Sequence, residues 1–428
     1  MMKIRYSLLV ALVGLVMGST ASAQQHWVTT WAAAPQEPFF FPAPPPAGQS
    51  APSPVPPSTP AMQLAKGFHN QTVRMTVHTS IGGARVRIAI SNAMGKTPLA
   101  IGAAHIARRG EGSGVAAGSD HALLFSGKPA CTIPPGALMV SDAIDFDVPP
   151  QGDLSVSLYL PGDTGPPTAH AVGLHTTYVS GPGNFADERS FADAVTTQSW
   201  YWLSAVHVFA PGDAGAIVTF GDSITDGTTS TPDTDRSWPS VLAARLSRAS
   251  GKSQGGAARI AVVNQGIAGN RLLHDLVGPN ALARLDRDVF SQPGVKWMTL
   301  LEGINDIGFP YRAGTPAGEE VTPEQITAAL QQIVERAHMH GVKVLGGTLT
   351  PFEGAAYYME KGEEKRQAVN RWIRGSGTFD AVVDFDAITR DPANPKRLRP
   401  EFNDRDHLHP NDAGYKAMAE AIDLSFFR

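Results

Sequence analysis

The chain has 428 residues, a formal net charge of −4 and a single cysteine, Cys131. This length exceeds one ordinary hydrophobic core and favours two domains. The small negative charge without a basic stripe argues against a nucleic-acid partner, and one cysteine excludes an intramolecular disulfide. Cys131 lies between Ala130 and Thr132, where we expect it to pack as a small hydrophobic side chain.

The first 23 residues have the pattern of a cleavable signal peptide. Lys3 and Arg5 give a positive start, residues 8–17 are mostly apolar, and Ala21-Ser22-Ala23 is typical of a cleavage site. We expect cleavage after Ala23 and a secreted or periplasmic protein, with an uncleaved anchor as the alternative. No later segment has the roughly 20 apolar residues that a membrane-spanning helix needs.

Residues 24–71 are interpreted as an N-terminal segment with a proline-rich loop at 39–60, whose composition does not build a core. Residues 72–212 alternate apolar and polar side chains between Gly and Pro punctuation. This pattern predicts a β-sandwich accessory domain, jelly-roll-like in character. Its role is left open between completing the substrate cleft, binding a polymer and shielding the sheet. For five aromatic residues we favour core or interdomain packing over sugar stacking: Trp27, Trp31, Trp200, Tyr201 and Trp202.

The pattern changes at residues 213–428, where apolar strands alternate with helical stretches. This alternation predicts a doubly wound α/β domain with a parallel sheet covered on both faces. Thr322-Pro323-Glu324-Gln325 resembles a capping box, and the helix that it begins is expected to end at His340, before Gly341. The strand candidates are residues 216–220, 259–263, 297–301, 342–346 and 381–385.

Four short segments of this second region contain the groups needed for acyl transfer. They are Gly221-Asp222-Ser223-Ile224, residues 264–269, Gly303-Ile304-Asn305-Asp306 and residues 406–410. The first follows a predicted buried strand, and open α/β sheets present reactive groups at that end of a strand. Each segment taken alone is also typical of an ordinary turn. Together they supply a serine, a histidine, a carboxylate and a side-chain amide.

In this order, the four segments resemble the sequence blocks of the GDSL, or SGNH, hydrolases, with Ile224 where the family name has leucine. The resemblance implies a flavodoxin-like sheet and hydrolysis of carboxylic esters without a metal or an organic cofactor. It also implies that Ser223 is the nucleophile, that His409 is its base and that Asp406 orients the base. The oxyanion hole would consist of the backbone N–H groups of Ser223 and Gly269 and the side-chain amide of Asn305.

Two alternatives remain at the last segment. Asp404 and His407 have the same spacing as Asp406 and His409, but the resemblance favours the second pair because its histidine precedes a proline. These four side chains are also possible metal ligands by type, although no distant partner completes a cage. We therefore predict no metal.

Four acidic residues near the motifs are interpreted as supporting groups. Asp222 and Asp306 are expected to form hydrogen bonds that hold the catalytic positions, and Glu302 is expected to line the site or cap its loop. Asp226 is a weaker candidate, since a turn aspartate usually bonds its own backbone.

The expected substrate is a small-molecule or polysaccharide ester. An exported enzyme with an added β domain is similar to the GDSL esterases that deacylate plant polysaccharides such as xylan, which favours short-acyl carbohydrate esters or aryl esters. The alternatives are a lipase or phospholipase, and a glycan-binding protein with an inactive hydrolase domain. Against the last, Ser223, Asn305 and His409 are all present.

Overall fold

The structure is a computed structural model that describes residues 25–38, 64–250, 260–312 and 315–428. The predicted signal peptide and the proline-rich loop at 39–60 lie outside the described residues. Among the residues described, no helix has the length and apolar character needed to cross a membrane.

The N-terminal half is built from antiparallel strands, as the alternating pattern predicted. Its strands are β1 (His26–Ala32), β2 (Gln71–Thr79), β3 (Gly83–Ser91), β4 (Leu99–Ile101), β5 (Ala103–Arg108), β6 (His121–Leu123), β7 (Cys131–Ile133), β8 (Leu138–Val140), β9 (Ile144–Val148), β10 (Gly152–Leu160), β11 (Ala169–His170), β12 (Thr177–Pro182), β13 (Val195–Thr197), β14 (Trp200–Tyr201) and β15 (Leu203–Ala210). We refer to this half as the β region.

Within the described residues, two larger sheets form the β region. One has the order β1-β15-β3-β8, with β9 also paired to β3, and the other has the order β13-β12-β2-β10-β5-β6. The glycine-containing turn between β2 and β3 joins the two sheets, so these strands do not form a hairpin. The jelly-roll assignment stays a prediction.

The predicted packing is confirmed for the cysteine and for four of the five aromatic residues, while Trp27 is half-buried beside Phe209. Trp31 and Trp200 are buried and meet edge to face with ring centroids 4.8 Å apart, and Tyr201 and Trp202 are also buried. Cys131 is half-buried against the hydrophobic core, and burial raises the pKa of its thiol to about 11. Its environment therefore does not favour a reactive thiolate.

The C-terminal half alternates strands and helices as predicted. Its elements are β16 (Gly215–Gly221), α1 (Ser223–Asp226), α2 (Trp238–Ser250), β17 (Ile260–Gly266), α3 (Ala281–Leu285), a π-helix (Asp286–Phe290), β18 (Val295–Leu301), α4 (Ile304–Gly308), a 3₁₀ helix (Phe309–Tyr311), α5 (Pro323–Met339), β19 (Lys343–Gly347), α6 (Glu360–Gly375), β20 (Ala381–Val383), α7 (Phe385–Thr389), α8 (Asp412–Ala421) and a 3₁₀ helix (Leu424–Phe427).

These five strands form one parallel sheet in the order β17-β16-β18-β19-β20. In chain order this is 2-1-3-4-5, the order of flavodoxin-like doubly wound folds. The central strand β16 is buried along its whole length, because helices cover both faces of such a sheet. The capping box at Thr322 is confirmed, with both reciprocal hydrogen bonds present, and Gly341 follows the helix with a φ of 70°.

The last strand is shorter than predicted. Residues 381–385 were expected to form it, but β20 ends at Val383. The side chain of Asp384 accepts a hydrogen bond from the N–H of Ala387 and begins helix α7 at Phe385. Capping of this helix therefore ends the strand two residues early.

Strand β1 joins the two halves of the molecule. It pairs with β15 in the β region, and its Thr29 N–H donates to the carbonyl of Pro293, just before β18. Val28 also lies against Gly294, where an added Cβ would come within 2.9 Å of the valine side chain. The segment that precedes the proline-rich loop is therefore part of a packed seam between the halves.

The close approach of β17 to α1 generates a stability prediction. A Cβ at Gly266 would lie 2.3 Å from the backbone nitrogen of Asp226 and 2.6 Å from its Cα, and backbone atoms have little freedom to move aside. We expect Gly266→Ala to lower the free energy of unfolding by about 1–3 kcal/mol, measured by guanidinium titration. The matched control is Gly375→Ala, because a Cβ there meets no described atom within 4 Å. An equal loss in both variants would contradict the steric explanation.

Candidate active site

Ser223 begins the short helix α1, directly after the carboxyl end of β16. The preceding Asp222 caps this helix by accepting a hydrogen bond from the Ile224 N–H at 2.9 Å. Gly221 is required there, since a Cβ would lie 2.2 Å from the carbonyl oxygen of Leu301 on the neighbouring strand. The turn ends at Gly227, which has a φ of 106°. Ser223 is thus held at the edge of the sheet by neighbours that leave its backbone little freedom.

The structure brings Ser223, His409 and Asp406 into one hydrogen-bonded line. His409 Nε2 lies 2.7 Å from Ser223 Oγ, and His409 Nδ1 lies 2.5 Å from Asp406 Oδ2. The other carboxylate oxygen of Asp406 accepts the backbone N–H groups of Leu408 and His409 at 3.0 and 2.9 Å. The carboxylate is therefore fixed by its own loop before it contacts the ring.

The surroundings of Asp406 keep it ionised. Burial by itself would raise the pKa of this carboxyl, but the hydrogen bonds and charge of His409, together with the backbone N–H groups, lower it to about 2. An ionised Asp406 requires a donor at His409 Nδ1, which leaves Nε2 as the acceptor that faces Ser223. This is the tautomer that accepts a proton from the serine hydroxyl.

The competing pair is not assembled in this way. His407 has a φ of 57°, and its Nδ1 lies 2.8 Å from Asn403 Nδ2. Its ring packs beside Gly354, where a Cβ would come within 2.8 Å of the imidazole. The structure therefore does not place His407 as a base for Ser223.

Residues 267–270 form a tight turn after β17, which we call the oxyanion turn. Its glycine, Gly269, has a φ of 83°, a conformation that favours glycine. The Asn270 N–H donates to the carbonyl of Ile267 inside the turn, and the Ile267 N–H donates to the carbonyl of Gly221 at the end of β16. The turn is therefore hydrogen-bonded to β16, the strand that precedes Ser223.

Asn305, in α4, has its side-chain amide held at both ends. Its Nδ2 donates to the carbonyl oxygen of Asn270 at 2.9 Å, and its Oδ1 accepts from the hydroxyl of Tyr357 at 3.1 Å. Tyr357 approaches closely because residue 308 is glycine, where a Cβ would lie 2.3 Å from the tyrosine ring. Since Oδ1 is occupied by a donor, the second Nδ2 hydrogen is the group that remains for an incoming ligand.

The predicted supporting carboxylates are all buried behind the site. Asp306 accepts the backbone N–H groups of Leu272 and Leu273, and burial raises its pKa to about 6 despite these bonds. Burial also raises the pKa of Asp222 and of Glu302. The charge of Asp306 raises the pKa of Asp222 further, and the charges of Asp222 and Asp306 raise that of Glu302. Glu302 is only 1 % exposed, and its expected role, to line the site or to cap its loop, stays a prediction.

A buried arginine absent from the sequence interpretation links these groups. Arg284 donates to the carbonyls of Gly221 and Gln265 and to Asn270 Oδ1, and it lies over the ring of Phe220. Its guanidinium also stands 3.8 Å from Glu302. The side chain of Arg284 thus joins the ends of β16 and β17 to the oxyanion turn. Arg284 and Gly221 are 63 residues apart, so no local motif predicts their contact.

The prediction for Asp226 was wrong. Its side chain does not bond its own backbone, because Oδ2 accepts the N–H of Ala268 at 3.0 Å and Oδ1 lies 3.0 Å from Nε2 of His170. His170 belongs to β11 of the β region, and no local sequence pattern marks it as a neighbour of the site. The site is therefore contacted by both halves of the chain.

Among the described residues, one group of side chains has ligand atoms close enough for a metal. His78, Asp153 and Asp235 have atoms within 4.8 Å of one another. His78 Nδ1 lies 2.7 Å from Asp153, whose second oxygen is 3.0 Å from Arg109. Ion pairing accounts for this cluster.

Comparison with known proteins gives the family of this region. Residues 219–417 match the model of the GDSL-like Lipase/Acylhydrolase family. These residues form a GDSL-like lipase/acylhydrolase domain. With this domain, the chain is a carboxylic ester hydrolase. No curated protein matches the chain by sequence.

Solved structures resemble about half of the chain. A putative lipolytic protein of the G-D-S-L family from Desulfitobacterium hafniense is 22% identical, with 48% of this chain and 96% of that chain covered and a TM-score of 0.35. A GDSL-like lipase from Bacteroides thetaiotaomicron is 19% identical, with 50% and 87% covered and a TM-score of 0.35. A mutant acetylxylan esterase from Geobacillus stearothermophilus is 20% identical, with 48% and 91% covered and a TM-score of 0.37. Scores this low carry no argument about substrate.

The buried Asp222 of the GDSL domain generates a prediction about pH. Its folded-state pKa is raised above the unfolded value of about 3.9, so its contribution to stability is complete below that value and is lost as pH rises through the folded pKa. Asn at this position keeps an acceptor for the helix cap and does not ionise. We expect the stability of Asp222→Asn relative to wild type to improve by about 1 kcal/mol or more between pH 5 and pH 8, measured by guanidinium unfolding.

The matched control is Asp384→Asn, which alters another capping aspartate. Burial would raise the pKa of Asp384, but Arg374 and the Ala387 N–H lower it, so it stays ionised between pH 5 and pH 8. The free energy of unfolding of Asp384→Asn relative to wild type should therefore not change between pH 5 and pH 8. A parallel change in the two variants would show that burial of Asp222 is not the cause.

Proposed function

We propose that this protein is a serine esterase that acts through Ser223, His409 and Asp406 on short-acyl esters, namely acetyl esters of carbohydrates or aryl esters. The observation that carries the proposal is the 2.7 Å separation of Ser223 Oγ and His409 Nε2, with Asp406 at the far side of the ring. This is the arrangement by which a weak serine nucleophile is activated.

In the proposed first step, Ser223 Oγ forms a bond to the ester carbonyl carbon while its proton moves to His409 Nε2. Asp406 holds the ring through Nδ1 and stabilises the imidazolium that results. The imidazolium then gives its proton to the departing alcohol oxygen as the carbon–oxygen bond breaks, which leaves an acyl-serine. In the second step, His409 takes a proton from water as the water oxygen bonds to the acyl carbon. The imidazolium then gives this proton to Ser223 Oγ as the bond between Oγ and the acyl carbon breaks, which releases the carboxylic acid and restores the serine hydroxyl.

The negative oxygen of each tetrahedral intermediate needs donors that are placed in advance. We assign this role to the backbone N–H groups of Ser223 and Gly269 and to Asn305 Nδ2. The fixed amide of Asn305 supports the assignment, since Tyr357 and Asn270 together define which way it points. A preorganised donor of this kind contributes roughly 100- to 1000-fold to turnover.

A polar rim supports the short-acyl carbohydrate or aryl substrate over a lipid. The loop that carries the catalytic histidine exposes Arg405, Asp406 and His407, with Asn403 and Asp404 half-exposed beside them. A lipid interface favours apolar side chains around the site, whereas a hydroxyl-rich alcohol is matched by hydrogen-bonding groups. The proposal includes export, as the pattern of residues 1–23 predicts, and the β region as an accessory domain.

The central test removes the nucleophile. We expect the purified protein to release p-nitrophenol from p-nitrophenyl acetate, and Ser223→Ala to lower kcat by roughly 10⁴-fold or more, because the acyl-enzyme cannot form. Ser230→Ala, which alters another buried serine of the same segment, is the control and should keep most of the activity. Equal rates for wild type and Ser223→Ala would dispose of the serine mechanism.

The same proteins distinguish the substrate classes. Rates on p-nitrophenyl acetate, butyrate and palmitate are compared with acetate release from acetylated xylan and fatty-acid release from phospholipid. The proposal expects the acetyl substrates to be fastest. A preference for palmitate or phospholipid would replace it with a lipase or phospholipase assignment, and xylan binding without any hydrolysis would replace it with a glycan-binding function.

A second pair of variants tests which histidine is the base. We expect His409→Ala to abolish turnover, because no other imidazole faces Ser223 in the described structure. His407→Ala should leave most of it, since His407 contacts Asn403 instead. Both are assayed on p-nitrophenyl acetate at saturating substrate. The reverse order of effects would show that Asp404 and His407 are the working pair.

A further inference from the structure

The oxyanion turn places two of the three proposed donors. Gly269 contributes its backbone N–H directly, and the carbonyl of Asn270 holds Nδ2 of Asn305 at 2.9 Å. Any displacement of the turn therefore moves both donors together. Because a misplacement of about 1 Å in an active site can cost about 100-fold in rate, whatever anchors this turn controls turnover.

The side-chain anchor next to Gly269 is the carboxylate of Asp226. Its Oδ2 accepts the N–H of Ala268, the residue before Gly269, at 3.0 Å. Asp226 also belongs to α1, and its own backbone N–H donates to the carbonyl of Asp222. The carboxylate thus connects the helix that carries the nucleophile to the turn that carries the donors.

The orientation of this carboxylate is set from the β region. His170 Nε2 lies 3.0 Å from Asp226 Oδ1, and His170 Nδ1 lies 3.0 Å from the carbonyl oxygen of Ala34. The imidazole also packs beside the ring of Trp200, with centroids 5.6 Å apart. The side chains of His170 and Asp226 are 4 % and 3 % exposed, so water does not substitute for either partner.

The hydrogen bonds of His170 use both of its ring nitrogens. The carbonyl of Ala34 accepts only, so Nδ1 carries a proton, and Nε2 makes the hydrogen bond with Asp226 Oδ1. Burial alone would lower the pKa of His170, but the charge and hydrogen bond of Asp226 and the carbonyl of Ala34 raise it. A buried charge of either sign without its partner is strongly unfavourable, which makes the two side chains depend on each other.

We propose that His170 is a positioning residue for ester hydrolysis, and that through Asp226 it holds the oxyanion turn in the geometry that stabilises the tetrahedral intermediate. The β region then completes the active site of the GDSL domain rather than only covering its sheet. This inference rests on the proposed function. It assigns to His170 no contact with substrate.

The test measures kcat and KM on p-nitrophenyl acetate for variants of the full chain. His170→Ala and Asp226→Ala are each expected to lower kcat roughly 10- to 100-fold with KM within about threefold, because the turn acts mainly on the transition state. The variant that carries both substitutions is expected to have a kcat no lower than that of the slower single variant. Both substitutions remove the same connection between His170 and Asp226.

Asp226→Asn serves as the conservative variant. Its Oδ1 accepts the Ala268 N–H, and its Nδ2 donates to a neutral His170 that keeps its proton on Nδ1 for Ala34. The uncharged pair keeps every hydrogen bond, so turnover should recover well above that of Asp226→Ala. His170→Gln also retains a side-chain donor for Asp226, so its kcat should exceed that of His170→Ala, and Asp226→Ala tests the loss of the connection should His170→Ala fail to fold.

The matched control is His175→Ala. His175 makes the same kind of contact across the same seam, with Nε2 3.0 Å from Asp235, but Asp235 does not contact the oxyanion turn. We expect this variant to keep kcat even where thermal unfolding shows a comparable loss of stability. A wild-type kcat in His170→Ala or Asp226→Ala, a loss confined to KM, or an equal loss of kcat in His175→Ala would overturn the inference. A wild-type protein without hydrolysis would instead overturn the proposed function and the inference with it.

Discussion

The parallel pairing of β16 with its two neighbours is the constraint on which the site depends. Gly221 is aligned with Gly266 on β17 and with Leu301 on β18, so the three strands end at the same level. The segments that follow them carry Ser223, the oxyanion turn and Asn305. Glycine is needed at this level because backbones approach within distances that exclude a Cβ. Register and glycine together therefore bring residues that are far apart in sequence to one edge of the sheet.

Behind this edge lies a layer of buried titratable side chains. Asp222, Glu302 and Asp306 are nearly inaccessible, and burial raises the pKa of each carboxyl. Arg284 provides the opposing charge and donates to backbone carbonyls at the ends of two strands. Such groups are unfavourable to bury, and their hydrogen bonds compensate by fixing the backbone on which the site is built. The carboxylate that faces His409 differs, because Asp406 stays ionised near the surface.

The β region is more than an appended module. Strand β1 pairs with β15 and also donates to the segment before β18, and the family match at 219–417 includes neither β1 nor His170. The seam contains further His–Asp contacts, such as His175 with Asp235. Ion pairs of this kind add little net stability, because the cost of desolvation offsets their attraction. Their directional hydrogen bonds instead define how the two packed halves are placed.

Periodicity and local motifs were sufficient to predict the division into a β region and an α/β region, the capping box at Thr322 and the four segments that meet at the site. These features depend on residues near one another in sequence, or on blocks whose order is itself informative. The early end of β20, the burial of Glu302 and the bonding of Asp226 were decided only by the tertiary structure. So were the positions of Tyr357, Arg284 and His170, because each acts on a partner more than 50 residues away. A side chain of this kind has no local pattern, since its environment exists only after the chain has folded.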